Sequence, residues 1–375
     1  MRILVCGGGT GGHIYPALAA VNELRRRGHD SAQFLWIGTR GEMEEELVPR
    51  AGLRLQTIQG GPIVGVSPRD KLVNGMKLTW SLGKTNSIWR AFRPDVLFMT
   101  GGYVNVPVAL TAWLRRTPAA IFLPDVEPGS AIRFLSRFAQ NVACTTPASE
   151  AYFSPGKTVV TGYPVRPQLR AALDLSRAQA LGRFGLEEER RTLLVFGGSR
   201  GARSINRALL SVLPWLLETY QVVHISGALD WPEVEAAAQD LPGEQRRYYR
   251  PFAYLHERMG AALRGADLVV ARAGASMLGE SPAFALPAIL VPYPHAWRYQ
   301  RVNADYLAER GAAVTLDDEL LPDRLLPLVS ELLQDDERLT QMAAAARALD
   351  RPSAASNLAR LLEKLAQRHM VNNAW

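Results

Sequence analysis

Short apolar runs alternating with longer amphipathic segments set the rhythm of this chain. Residues Ile3 to Cys6, Gln33 to Ile37, Leu55 to Ile58, Asp95 to Met99, Ala119 to Leu123 and Thr158 to Thr161 are brief and nearly unalternated. That pattern predicts strands buried on both faces of a parallel sheet. Between the first two runs, Ala17, Leu18, Val21 and Leu24 recur on one helical face, with Pro16 tolerated near the helix start. Glu42 to Ala51 predicts the next helix. Glu42, Glu44, Glu45 and Glu46 crowd its start, where carboxylates suit the helix dipole, and a solvated first turn is expected. Gly162-Tyr163-Pro164-Val165-Arg166-Pro167 reads as a stiff extended linker. The rhythm then restarts, with strands predicted at Thr192 to Phe196, Val222 to Ile225, Asp267 to Ala271 and Pro287 to Pro292. Helices are expected at Ser204 to Tyr220, kinked or restarted at Pro214, and near Pro232 to Gln239 and Leu255 to Leu263. Pro322 to Gln367 predicts charged amphipathic helices broken at Pro352, the last crossing back to the first half.

Each half opens on a strand, a glycine turn and a helix. The first turn is Gly7 to Gly12, broken only by Thr10; the second is Gly197-Gly198-Ser199-Arg200-Gly201-Ala202. Such a turn aims unpaired backbone N–H groups and the positive end of a helix dipole at one point, and glycine lets an anion approach. His13 stands at the first helix mouth. Further loops fall at predicted strand ends, where open α/β sheets bind ligands. They are Thr100-Gly101-Gly102-Tyr103, Pro124-Asp125-Val126-Glu127-Pro128-Gly129, Arg272-Ala273-Gly274-Ala275-Ser276 and the stretch from Tyr293 to Gln300, with Asn303 one turn on. Glu280, placed more than one turn into the helix after Ser276, is within reach of a sugar hydroxyl or is simply solvated. The pattern predicts an α/β protein of two Rossmann-like domains, 1–162 and 163–351, with a last helix of about 352–375 returning to the first.

Three other chemistries fit single motifs. Gly7, Gly9 and Gly12 satisfy the dinucleotide fingerprint, but no acid follows the second predicted strand to hold a ribose. Gly197-x-Ser199-x-Gly201 satisfies the nucleophile elbow of α/β-hydrolases, with Asp267 and His295 as available partners. Asp125 and Glu127 resemble a D-x-D metal motif, although nothing else nearby supplies ligands and turns between prolines favour acids.

Composition narrows the class. The length of 375 residues suits two domains, and the net charge of +7 favours anionic partners. Two cysteines, Cys6 and Cys144, build neither a disulfide framework nor a metal cluster. The chain opens directly on a strand and contains no apolar run long enough to span a bilayer, so a cytoplasmic location is expected. Ser67 to Pro94 interleaves Trp80, Trp89, Leu and Ile with Arg69, Lys71, Lys77, Lys84, Arg90 and Arg93, against a single acid, Asp70. It reads either as a basic helix pair on the sheet or as a surface for anionic lipid. No nucleic-acid motif accompanies the charge.

The segments GGGTGGHIYPAL, TGGYVNVPVAL, TGYPVRPQL, FGGSRGARSIN, ARAGASMLGE and LPAILVPYPHAWRYQRVNA, in this order, resemble the MurG family of peptidoglycan N-acetylglucosaminyltransferases over nearly the whole chain. The resemblance implies a GT-B fold, two Rossmann-like domains with parallel sheets facing across a cleft, with the sugar nucleotide mostly on the second. It implies transfer of N-acetylglucosamine from UDP-N-acetylglucosamine to a lipid-linked acceptor (lipid I, giving lipid II) at the cytoplasmic face of the membrane, with no cofactor or metal. Thr10, Gly11, Gly12 and Tyr103 are implied in diphosphate or acceptor contacts, and His13 is the essential histidine. Arg166 and Ser199 match donor-phosphate and nucleotide contacts. Ala275, Ser276, Met277, Leu278, Gly279 and Glu280 match the turn and helix around the diphosphate, with Glu280 on the ribose. Gln300 and Asn303 match the sugar-reading segment, and Ala253 falls at the uracil. Where the family has His-Glu-Gln-Asn, this chain has Phe122-Leu123-Pro124-Asp125, which makes Asp125 a second candidate base. A related transferase with another acceptor, or an inactive paralogue, is the alternative.

Overall fold

The structure is a computed structural model that describes residues 1–9, 11–58, 68–198, 201–294 and 298–372, with backbone alone for 68–79 and 372. The chain divides into two compact units, Met1–Pro164 together with Pro352–Trp375, and Val165–Arg351.

In the first unit the apolar runs become seven strands: β1 (Ile3–Cys6), β2 (Phe34–Thr39), β3 (Arg54–Ile58), β4 (Val96–Met99), β5 (Ala119–Leu123), β6 (Asn141–Cys144) and β7 (Thr158–Val160). They form one parallel sheet in the order β3-β2-β1-β4-β5-β6-β7. Every residue of β1, β4 and β5 is buried, because helices cover both faces. The order reverses between β1 and β4. Cys6 pairs with both Ile37 and Met99, so the glycine turn after β1 leaves the sheet level with the end of β4 and beside the last two residues of β2.

The second unit repeats the plan with β8 (Thr192–Phe196), β9 (Gln221–Ile225), β10 (Tyr249–Phe252), β11 (Leu268–Arg272), β12 (Ala288–Val291) and β13 (Ala313–Thr315). The parallel order is β10-β9-β8-β11-β12-β13, with its reversal between β8 and β11. Its core lies between the sheet and the helices Arg203–Thr219 and Leu321–Gln334, through Leu209, Leu213, Leu216, Leu325, Val329 and Leu332.

Several local expectations are corrected. Strands β6, β10 and β13 lack an unbroken apolar run: β6 begins with Asn141, β13 has three residues ending in Thr315, and β10 contains Arg250 and Pro251, the proline being tolerated because β10 is an edge strand. The helix Arg203–Thr219 runs through Pro214 as one element, held by the apolar face it buries. Residues Pro68–Phe92 form one helix rather than a pair, and Gly83 meets nothing on its open side. Leu255 to Leu263 resolves into a 3-10 turn, His256–Arg258, and a helix, Met259–Gly265.

After Pro352 the helix Ala354–Asn372 belongs to the first unit. Leu358, Ala359, Leu362 and Ala366 are fully buried there. Glu363 accepts from Arg27 Nη1 at 2.9 Å and pairs with His29 Nε2 at 3.2 Å. Leu362→Ala is therefore expected to destabilise the first unit by about 3 kcal/mol, whereas Glu363→Gln, at a partly solvated pair, costs about 1 kcal/mol or less. Urea unfolding followed by tryptophan fluorescence reads both, and equal losses would refute the burial argument.

Candidate functional site

The first constellation is built on the end of β1. Gly7 must lack a side chain because a Cβ there would stand 2.0 Å from Thr100 Oγ1. Gly9 is left-handed, with φ of 86°. The helix Gly11–Arg26 starts immediately after. His13, half-buried, shares a 3.2 Å hydrogen bond between Nδ1 and the Gly8 carbonyl. A carbonyl can only accept, so Nδ1 carries the proton and the neutral ring presents Nε2 as its lone-pair nitrogen. Nε2 faces Gly101, where a Cβ would lie 3.1 Å away and φ is 108°. The Gly101-Gly102 turn is held by Asn105, whose side-chain amide donates to both carbonyls. Tyr103 stands exposed beside it.

The pKa of His13 is lowered, chiefly by burial; Asp125, the Gly8 carbonyl and Glu44 each act in the opposite direction. Asp125 is thus brought into electrostatic range of His13 by the loop after β5. The neighbouring Glu127 is buried and pairs with Arg133 at 3.1 Å. Among the described residues no three His, Cys, Asp or Glu side chains gather where a cation would sit. Cys6 and Cys144 are buried thiols held protonated, Cys144 with its pKa raised to about 12 by burial.

Glu44 is the residue that sequence reasoning misplaced. It begins the helix Glu44–Arg50 and is fully buried, not solvated. Its carboxylate accepts from Gly9 N–H at 3.0 Å and Thr39 N–H at 2.7 Å. A Cβ at Gly8 or at Gly38 would strike this side chain, a relation that exists only in the folded unit. The Gly9 N–H is thereby occupied, which removes a donor that the NAD reading needs.

The second constellation lies at the ends of β8, β11 and β12. Gly201 approaches the carbonyl of Ser226 so closely that a Cβ would lie 2.2 Å from it. The helix Met277–Ala283 follows the turn after β11, so Glu280 is in its first turn rather than beyond it. Glu280 is buried, and its Oε1 stands 3.7 Å from Arg166 Nη2. Burial raises its pKa, while Arg166 and a hydrogen bond from Ser276 oppose the rise. Met277, Leu278 and Gly279 are buried, while Ala275 and Ser276 are partly open. Asn303, also buried, donates from Nδ2 to Ala273 O at 3.1 Å and so braces this turn. Gln300 Oε1 accepts from Tyr293 N–H at 2.9 Å, which ties down the loop after β12. Ala253 directly follows β10 and its carbonyl accepts from Gly227 N–H.

Thr10, Ser199 and His295 lie outside the described residues. Asp267, the acid offered for a hydrolase triad, bonds Thr192 N–H at the start of β8 and pairs with Arg177 and Arg191. Five residues of β8, roughly 16 Å at the rise of a strand, separate that point from the turn carrying Ser199. Asp267 is therefore engaged at the opposite end of β8 and does not serve as the acid of that triad.

The glycosyltransferase family 28 N-terminal domain matches residues 3–144 and the family 28 C-terminal domain matches residues 192–358. The UDP-N-acetylglucosamine--N-acetylmuramyl-(pentapeptide) pyrophosphoryl-undecaprenol N-acetylglucosamine transferase of Roseiflexus sp. (strain RS-1) is 39% identical over 99% of this chain and 96% of its own. The protein of the same name from Desulforudis audaxviator (strain MP104C) is 40% identical over 98% of this chain and 99% of its own. The crystal structure of Acinetobacter baumannii MurG superposes with a TM-score of 0.76 at 26% identity, covering 97% of this chain and 99% of that one. The chain belongs to glycosyltransferase family 28 and, within it, to the family of pyrophosphoryl-undecaprenol N-acetylglucosamine transferases.

Proposed function

We propose that this protein is an inverting glycosyltransferase that moves N-acetylglucosamine from UDP-N-acetylglucosamine to undecaprenyl-pyrophosphoryl-MurNAc-pentapeptide. The observation that carries the reading is the likeness to transferases of that name over nearly the full length of both chains. The residues support it chemically. Transfer forms a bond from the acceptor hydroxyl oxygen to the donor's anomeric carbon and breaks the bond from that carbon to the diphosphate, inverting α to β. The hydroxyl proton must go to a base and the departing charge must be stabilised. In this reading His13 Nε2 takes the proton. Its tautomer is set by the Gly8 carbonyl and its lowered pKa keeps the ring neutral. Asp125 is the rival base or the group that steadies the imidazolium. Thr10, Gly11, Gly12 and Tyr103 meet the acceptor side.

On the donor side, Ala275 to Gly279 form the turn and helix start around the diphosphate; the N–H groups of Met277, Leu278 and Gly279 already bond the carbonyls of Gly274, Ala275 and Ser276, so Ala275 and Ser276 are the residues that offer theirs. Arg166 adds positive charge, Glu280 holds a ribose hydroxyl, Ala253 and Ser199 meet the nucleotide, and Gln300 with Asn303 orders the sugar-facing loop. These assignments need no metal, because arginine and helix-end dipoles supply the charge. The first unit also suits the anionic surface of a membrane. No described helix is long and apolar enough to cross one. However, Trp80, Trp113, Leu114 and Phe134 are exposed, and Arg115, bonded to Asn86, joins the helix Pro68–Phe92 to the end of the helix Asn105–Leu114.

Three outcomes test the reading. His13→Ala is expected to lower turnover on lipid I at least about a hundredfold with donor affinity retained, chelator having no effect; if Asp125→Asn alone abolishes turnover, the base is Asp125. Because a neutral imidazole is required and the pKa of His13 is lowered, kcat/KM should hold through pH 6.5 and fall only below it; an acid limb above 6.5 would remove His13 as base. Sedimentation with phosphatidylglycerol vesicles should weaken with salt and in the combined variant Lys71→Glu, Lys77→Glu, Arg90→Glu, and vesicles of phosphatidylcholine should not bind. Lys84 is left intact there, since its ammonium donates to Thr57 O at 2.6 Å. Salt-independent sedimentation would exclude the lipid surface.

A further inference from the structure

Two glycines of the first unit have no stereochemical need to be glycine. Gly8 and Gly38 are absent from the left-handed positions of the backbone. A Cβ on Gly8 would lie 1.8 Å from Glu44 Oε1, and one on Gly38 would lie 2.5 Å from Glu44 Cγ. Both positions are bare because the Glu44 side chain fills the space. That side chain is fully buried, reaches two elements at once, and among the described residues pairs with no cation. Burying an acid without a cation works against stability. A Leu would fill the volume, but it would leave the N–H groups of Gly9 and Thr39 without an acceptor.

We infer that Glu44 is a positioning residue for transfer, tying the first glycine turn to the end of β2 so that His13 and the following N–H groups face the acceptor. The inference rests on the proposed role of this turn. The two hydrogen bonds meet Gly9 at the left-handed residue that turns the chain from β1 into its helix, and Thr39 at the last residue of β2. Glu44 thereby sets where the helix begins, and the helix carries His13. The charge bears on His13 as well. The charged and polar groups acting on that imidazole among the described residues are Asp125 from the loop after β5, the Gly8 carbonyl from its own turn, and Glu44 from the helix after β2. A negative charge there favours the imidazolium, so its removal moves the protonation of His13 to lower pH. A residue that only filled space would leave that protonation where it is.

The test uses the full-length enzyme and the variants E44Q, E44D, G8A, E44A and E44A/G8A, with kcat and KM measured against pH, the His13 imidazole titrated by NMR, and melting recorded for each. Gln offers one acceptor oxygen where two donors converge, and Asp is one methylene too short to reach both. The expected result for E44Q is a folded protein with unchanged KM for UDP-N-acetylglucosamine, kcat lowered between about tenfold and a hundredfold, and the His13 titration shifted to lower pH. E44D is expected not to restore kcat. G8A should lower melting temperature and kcat beside Glu44 but add nothing in the E44A background. Wild-type kcat in E44Q, an unmoved His13 titration, or an equal effect of G8A in both backgrounds would overturn the inference. If the wild-type enzyme transfers nothing to lipid I, the proposed function fails, while the NMR titration and the melting cycle still decide on Glu44.

Discussion

A parallel strand ends with its last carbonyl and the next N–H groups pointing out of the sheet, and the chain must leave that edge to cover a face. Where the strand order reverses, the crossovers on the two sides depart in opposite directions and leave the edge open. In this protein the reversal falls beside β1 in the first unit and beside β8 in the second. Each of those strands is followed by a glycine turn. The catalytic and binding candidates of each unit follow from that single constraint: His13, Gly101 and Asp125 come from the ends of β1, β4 and β5, and Gly201, Ser276 and Gln300 from those of β8, β11 and β12.

The two units treat charge at these edges differently. In the first, Glu44 is buried and accepts from the backbone N–H groups of Gly9 and Thr39, and Glu44 and Asp125 both act on His13 to favour its protonated form. Negative charge beside an imidazole steadies the cation it becomes on accepting a proton. In the second, Glu280 faces Arg166, and Asp230 is bonded by Arg203 and Asn206. Carboxylates there are balanced by guanidinium groups, which suits an edge that receives an anionic nucleotide.

His13 illustrates how competing terms decide a state. The positive end of a helix disfavours an imidazolium, as does burial, while Asp125, the Gly8 carbonyl and Glu44 favour it. Burial leads, so the ring is lowered on balance. The hydrogen bond to Gly8 then selects which nitrogen carries the proton.

The strand–turn–helix rhythm, the duplication of the plan and the positions of the loops at strand ends were legible in the sequence, because burial on both faces of a parallel sheet demands short unbroken apolar runs and glycine is needed where φ is positive. Strands without an unbroken apolar run, such as β6 with Asn141 and the edge strand β10 with Arg250 and Pro251, escaped it, since hydrogen-bonded neighbours rather than their own residues make them strands. Glu44 escaped it for another reason. Four glutamates in a row of five residues look alike along a helix, and only the packing of that helix against Gly8 and Gly38 selects one of them for burial. Likewise Glu280 and Arg166 are 114 positions apart in sequence, and their approach to 3.7 Å exists only once the linker end and the turn after β11 are folded together. Periodicity is a local property and declares itself in the chain; the pairing of a buried charge with its donors is decided by elements distant in sequence, and so belongs to the tertiary structure.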